Sequence, residues 1–229
     1  MRSLSKDSKK FGELMENGII YVGDPMCSWC WGFSPVLNKI RHKYSSKVKF
    51  SVLVGGLRSG GSNPMDPSLR ETIGQHWHEV IRRTGQEFSF GILQQKDFVY
   101  NTEPSCRAVV AIRHLAPEAV FDYFDALHRA FYSESRDITQ PDVLAEIAGK
   151  FGAAKGDFMQ TFASSEIKQE TTDDFLYARR IGVMGFPSLL YKDMQGYLPI
   201  TKGYQGFETL DPKIADLLQR GDENPYFDG

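Results

Sequence analysis

The feature that most constrains the fold is the run strand, helix, strand spelled by the first fifty-odd residues. Gly18 to Gly23 reads Gly-Ile-Ile-Tyr-Val-Gly, a β-rich segment bounded by glycines. Lys47 to Val54, Lys-Val-Lys-Phe-Ser-Val-Leu-Val, reads as a second strand. Between them Phe33, Val36, Leu37 and Ile40 recur at helical spacing, with Pro35 removing one backbone donor from the pattern. A helix joining two strands in this way implies a βαβ unit and a parallel pair.

The middle of the chain changes period. Pro64–Thr84 places Leu69, Ile73, Trp77, Val80 and Ile81 on one side, and Pro104–Leu115 opens with a proline where a missing N–H costs little. Val120, Phe124, Leu127 and Phe131 mark a third helix, and Thr139-Gln140-Pro141-Asp142 resembles a cap before Leu144, Ile147, Ala148 and Phe151. Shorter helices are expected at 155–162 and 166–181. Strands return at Phe186–Lys192 and Tyr197–Thr201, joined by a turn at Asp193–Gly196, and Phe207–Arg220 closes the chain as a helix. With 229 residues, the chain suits one large domain or a core domain carrying an insertion. The expected division is a first half at 18–60, a helical insertion at 61–165 and a second half at 166–221.

A net charge of −2 leaves no basic excess for a nucleic-acid partner. No stretch approaches the roughly 18 apolar residues of a membrane span. The lysine-rich start, Met1–Lys10, is followed by a segment broken by Glu13 and Glu16, so it reads as a frayed leader and not a secretory signal. The expected location is the cytosol, unless an export signal has been lost.

Three cysteines in a chain this long are no disulfide scaffold, and two of them form Cys27-Ser28-Trp29-Cys30. That spacing sets the sulfurs about one helical turn apart, so a small-ring disulfide can form and reopen. If the helix starts at Cys27, its free N–H groups and macrodipole favour an anion at that sulfur, which makes Cys27 the attacking thiol and Cys30 the shielded one. The competing reading is half of a zinc site. Structural zinc needs four ligands, and only Cys106 and histidines without the H-x₃₋₅-H spacing remain, so no metal is expected. In Gly185-Phe186-Pro187 the proline begins a strand, where it is tolerated; the residues alone leave open whether its bond is cis or a trans stop signal.

The strand ending Gly-Asp-Pro-Met before Cys-Ser-Trp-Cys-Trp-Gly-Phe, with Gly-Phe-Pro opening a late strand, resembles the DsbA-like branch of the thioredoxin superfamily. More narrowly it resembles the cytosolic protein-disulfide isomerase branch related to FrnE-type oxidoreductases. The likeness runs over about residues 18–221 and takes in Tyr100–Pro104, Arg107-Ala108, Ala130–Tyr132 and Arg136–Thr139. It implies an α/β thioredoxin fold (βαβ…ββα) interrupted by an all-helical insertion. It makes Cys27 the nucleophile, Cys30 the resolving cysteine and Pro187 a cis proline against the pair. Phe186 would present its backbone to an extended substrate. Asp24 matches an acidic position of FrnE-type proteins and would assist proton transfer to Cys30, with a plain turn residue as its alternative. The dipeptide departs from the Pro-His of DsbA: Ser28 and Trp29 carry no histidine. Tyr21 stands where thioredoxins place a buried carboxylate.

The implied function is a thiol–disulfide oxidoreductase or isomerase acting on protein or small-molecule thiols and disulfides. It needs no metal or organic cofactor and leaves room for glutathione as co-substrate. Two rivals stand beside it: a kappa-type glutathione-dependent transferase or isomerase, against which an intact cysteine pair argues, and a non-catalytic peptide-binding chaperone module. Trp29, Trp31 and Phe33 read either as partial core or as an apolar rim that receives substrate, with Trp29 on the exposed side. Cys106 reads as a small buried hydrophobe, with an accessory thiol as the alternative. The run from Val54 to Gly61 lacks phosphate-loop spacing and reads as a flexible turn.

Overall fold

The computed structural model describes residues 17–222, so the leader reading falls outside the described residues. Strand β1 (Gly18–Gly23) is followed by α1 (Ser28–Tyr44) and β2 (Lys49–Val54). A helical stretch then runs through α2 (Pro67–Thr84), α3 (Gly91–Gln94), α4 (Glu103–Leu115), α5 (Val120–Tyr132), α6 (Pro141–Gly149), α7 (Lys155–Ala163) and α8 (Ser165–Arg180). β3 (Ser188–Asp193), β4 (Gly196–Lys202) and α9 (Phe207–Asp222) complete the order. The chain has the expected thioredoxin-type architecture interrupted by helices. The one-turn α3 and a 3₁₀ turn at Pro117–Ala119 carry too few residues to show a period.

The sheet order is β2-β1-β3-β4. β1 and β2 run parallel from Gly18 opposite Lys49 to Gly23 opposite Val54, while β3 is antiparallel to β1 and to β4. Pro199, which has no N–H to donate, sits on the edge strand β4 opposite Leu190, beside the bulge between Leu189 and Leu190. β1 is buried along its whole length because both faces are covered. Ile19, Tyr21, Val52, Val54 and Leu189 join the main core with residues of α1, α4 and α5. Ile20, Val22, Leu53 and Leu190 face the other way, against Ala178 of α8 and Val183.

The free edge of β2 is covered by side chains. Asp174 Oδ2 on α8 accepts from the Val54 N–H at 3.2 Å, and Arg113 Nη1 on α4 donates to the Val52 carbonyl at 3.1 Å. Arg113 also pairs with Asp174 at 2.8 Å and Glu170 at 2.7 Å, so one buried ion cluster pins the helical block to the sheet edge. Pro35 deprives the Trp31 carbonyl of its usual helical donor, and Gln86 Nε2 supplies one from outside the helix at 2.9 Å. The Trp31 indole N–H donates to the Glu87 carbonyl at 3.0 Å, so the segment after α2 is laced to α1 at two points.

Candidate active site

Cys27 is the N-cap of α1, in extended conformation, and its carbonyl accepts the first helical bond from Trp31 N at 3.1 Å. No side chain caps this terminus, and the first turn holds no acidic residue. The orphan N–H groups and the positive end of the helix dipole are therefore left to whatever sits at Cys27. Cys27 is 5% exposed and Cys30 0%, so of the two thiols only the first has a route to solvent. Both are unoxidised. Burial pushes the Cys30 thiol well above its ordinary value, and the neighbouring Cys27 sulfur pushes the same way, while the Tyr21 hydroxyl opposes them.

The Phe186–Pro187 bond is cis, and Cys27 Sγ lies 3.9 Å from the Phe186 carbonyl oxygen. The fold thus brings the start of β3 beside the start of α1. The ring of Phe186 lies over Gly55: a Cβ there would meet it at 2.0 Å. The glycine just after β2 therefore makes room for the ring of the residue whose carbonyl faces Cys27, and that ring packs with Ile20, Val22 and Leu53 on the other face of the sheet. Ser28 and Trp29 are half-buried, and the Trp29 ring packs on Tyr204 at 5.9 Å. Trp31 and Phe33, read with Trp29 as a possible rim, are core residues at 4% and 0% exposure, because their helix positions face the insertion and the sheet. Met184 at 92% and Leu57 at 49% are exposed apolar side chains carried by the segments that lead to Phe186 and away from Gly55.

Asp24 is fully buried, and its carboxylate is turned to the loops. Oδ1 accepts from Met26 N at 2.8 Å, and Oδ2 accepts from Leu57 N at 2.7 Å and from the Cys106 thiol at 3.3 Å. Its backbone carbonyl accepts from Cys27 N at 3.0 Å. Burial raises the carboxyl above its ordinary value, and the Met26 and Leu57 N–H groups work against that. Cys106 is buried as expected, but it is also a hydrogen-bond donor, and burial together with Asp24 holds its thiol well above the ordinary range. The glycine-rich segment after β2, expected to be a flexible turn, is fastened instead: Gly55 N to Gly23 O at 2.8 Å, Arg58 N to Thr102 Oγ1 at 3.2 Å and Gly60 N to Asn101 Oδ1 at 3.1 Å. Tyr100, whose hydroxyl donates to the Met26 carbonyl, ties the cysteine loop to the same insertion.

The residue that sequence spacing undervalued is Tyr21. Its ring is sandwiched between Phe33 and Phe124, and its hydroxyl is within hydrogen-bonding reach of Cys30. It reaches the pair by lying along Gly23, two residues on and on the same face of β1; a Cβ at Gly23 would stand 2.5 Å from the Tyr21 oxygen. An aromatic and a glycine at that spacing on a strand running into the cysteine loop is the signal that was available. Among the described residues no group of three or more His, Cys, Asp or Glu is arranged to hold a metal ion, and no helix is long and apolar enough to cross a membrane.

Comparison with known proteins bears on this site. The family described as DSBA-like thioredoxin domain matches residues 19–215. A candidate protein disulfide isomerase from Nitrosomonas europaea is 38% identical, with a TM-score of 0.82 over 90% of this chain and 99% of that one. The cytosolic disulfide reductase DsbM of Pseudomonas aeruginosa, 22% identical, superposes with a TM-score of 0.73 over 88% and 98% of the two chains, and its structure with GSH gives 0.71 at 23% identity. The ClpXP adapter protein SpxH of Halalkalibacterium halodurans is 20% identical over 172 residues, 73% of this chain and 56% of the relative. This chain spans little more than half the length of the curated relatives it matches.

Proposed function

The chain belongs to the DSBA-like thioredoxin domain family of thiol–disulfide oxidoreductases, and from that premise we propose that it reduces or isomerises disulfides of protein or small-thiol substrates through Cys27 and Cys30. The observation that carries this is the placement of Cys27: an uncapped helix N-terminus beneath it, the Phe186 carbonyl beside it, and a fully buried second thiol one turn on. The Cys27 thiolate attacks one sulfur of a substrate disulfide, forming a mixed disulfide and releasing the other sulfur as a thiolate. Cys30, once deprotonated, attacks Cys27; the Cys27–substrate bond breaks and the second substrate sulfur leaves with its electron pair. The protein is left oxidised and the substrate reduced. Glutathione suits the reverse exchange that restores the dithiol, in keeping with the GSH-bound structure of the cytosolic reductase above.

Phe186 and cis-Pro187 form the wall against which an extended substrate lies, and Trp29, half-buried on Tyr204, forms the opposite side. Asp24 holds the cysteine loop and the loop after β2 in register. Reduction and isomerisation are favoured over strong oxidation because Ser28 and Trp29 bring no charge to stabilise the reduced form, the property that makes DsbA-type proteins oxidising. A reducing compartment such as the cytosol suits that direction.

Insulin reduction and refolding of a scrambled disulfide substrate test this directly. Cys27→Ser should abolish both, and Cys30→Ser should trap mixed disulfides at Cys27. Equilibration with glutathione should give a potential more negative than about −180 mV. Activity retained in Cys27→Ser, or a potential close to about −120 mV, would overturn the assignment.

A further inference from the structure

The exchange requires Cys30 to shed a proton from a site with no exposure to water. The carboxylate of Asp24, three residues before the pair, is occupied by Met26 N, Leu57 N and Cys106 Sγ. Among the described residues, the side chains that act on Cys30 by hydrogen bonding are Cys27 and the Tyr21 hydroxyl. Tyr21 also lines a small cavity of about 10 Å³, together with Ser34, Asn38, Phe124, Asp125 and His128. That volume is at the lower bound for one water molecule.

Two polar atoms of this lining are buried without a protein partner: His128 Nδ1 and Asp125 Oδ1. His128 is 1% exposed, and burial lowers it to about 4, so its ring is neutral near pH 7. Its Nε2 lies 3.4 Å from the Asp24 carbonyl oxygen, an acceptor, which assigns the ring proton to Nε2 and leaves Nδ1 a lone pair. A water in the cavity would thus find two acceptors, Nδ1 and Oδ1, next to the Tyr21 side chain. Asp125 is half-buried, and its other oxygen accepts from the exposed Asn38 amide at 3.4 Å, so the cavity opens toward solvent at that rim.

We infer that Tyr21 is a catalytic proton relay for Cys30, passing the thiol proton to a water held between His128 and Asp125 and from there to solvent. This rests on the dithiol chemistry proposed above. As the Cys30 S–H bond breaks, its proton moves to the Tyr21 oxygen while the Tyr21 proton moves to the water; the water returns to neutrality by releasing a proton past Asp125. Tyr21 is unchanged over the cycle, and the electron pair left on Cys30 forms the Cys27–Cys30 bond. The titratable groups facing Tyr21 are Cys27 and Cys30 from the α1 side and Asp125 and His128 from α5.

The test uses stopped-flow reaction of the reduced protein with an aryl disulfide whose thiolate is coloured. The first burst of colour reports attack by Cys27, and the second reports resolution by Cys30. Tyr21→Phe keeps the ring between Phe33 and Phe124 and should leave the first phase unchanged. It should slow the second by about 10²-fold and make it climb with pH, as hydroxide replaces the relay. Asp125→Asn, at the cavity rim, should slow the same phase alone. A second phase at wild-type rate in Tyr21→Phe, or both phases slowed alike, would refute the relay while leaving the dithiol chemistry intact. Absence of a second phase in the wild type would overturn both.

Discussion

Replacing Asp24 with alanine removes one buried carboxylate and leaves its donors without that acceptor. Two are backbone N–H groups, Met26 at 2.8 Å and Leu57 at 2.7 Å, and beside them stand the Cys106 thiol at 3.3 Å and the Thr102 hydroxyl. A buried N–H left unpaired costs about 1–3 kcal/mol, so the two together cost about 2–6 kcal/mol. Removing a carboxyl that burial already disfavours returns part of this. A net loss of about 3 kcal/mol is expected, which in a domain of this size lowers Tm by roughly 6–12 °C. Urea unfolding at unchanged m-value measures it. Asp24→Asn should recover about half, because its oxygen serves one N–H while its amide confronts the other donors. The folded carboxyl holds its proton more tightly than the unfolded one, whose value is 3.8. Wild-type stability therefore falls as pH rises from that value through the folded one, and this component should vanish in the alanine variant. A loss under about 1 kcal/mol in Asp24→Ala would refute the account, since the two loops would then be held by something other than this carboxylate.

Gly55→Ala puts a methyl 2.0 Å from the Phe186 ring and should shift that residue, and with it the carbonyl beside Cys27, slowing exchange with peptide disulfides more than with small aryl disulfides; equal rates on both would argue against it. Arg113→Met removes the cation that Asp174 and Glu170 share and leaves the fully buried Asp174 without its ion-pair partner; it should cost about 3–5 kcal/mol, measured by thermal unfolding. Burial pushes the Glu170 carboxyl up, but His114 and Arg113 outweigh it and hold it at about 2, below the ordinary 4.5. Its contribution to stability is accordingly present above pH 4.5 and lost as pH falls toward about 2, so Glu170→Gln should flatten acid unfolding across that window.

Strand and helix periods carry local information, and here they were strong. The β-rich, glycine-bounded run Gly18–Gly23, the 3–4 spacing after Cys27 and the apolar faces of the middle helices each follow from residues close together in the chain, whereas the cap expected at Thr139–Asp142 did not form: Gln140 starts that helix with no side-chain cap. The pair Cys27 and Cys30 was legible for the same reason: its chemistry depends on one helical turn. Burial of Trp31 and Phe33 was not, because a helix pattern says which residues share a face and leaves open what covers it. Nor was the fastening of the glycine-rich loop after β2, whose partners Thr102 and Asn101 come from the insertion.

That the chain would set a C-x-x-C pair where a strand hands over to a helix was determined by its sequence, since strand, turn and helix are written within one contiguous stretch. Which groups surround the sulfurs was decided by packing over long separations. Phe186 arrives from the far side of the insertion to stand 3.9 Å from Cys27, and Cys106 comes from α4 to occupy the Asp24 carboxylate. With that carboxylate taken, the hydroxyl of Tyr21, admitted by Gly23, is left to face Cys30. Such contacts depend on three-dimensional distance and burial, and no local period records either.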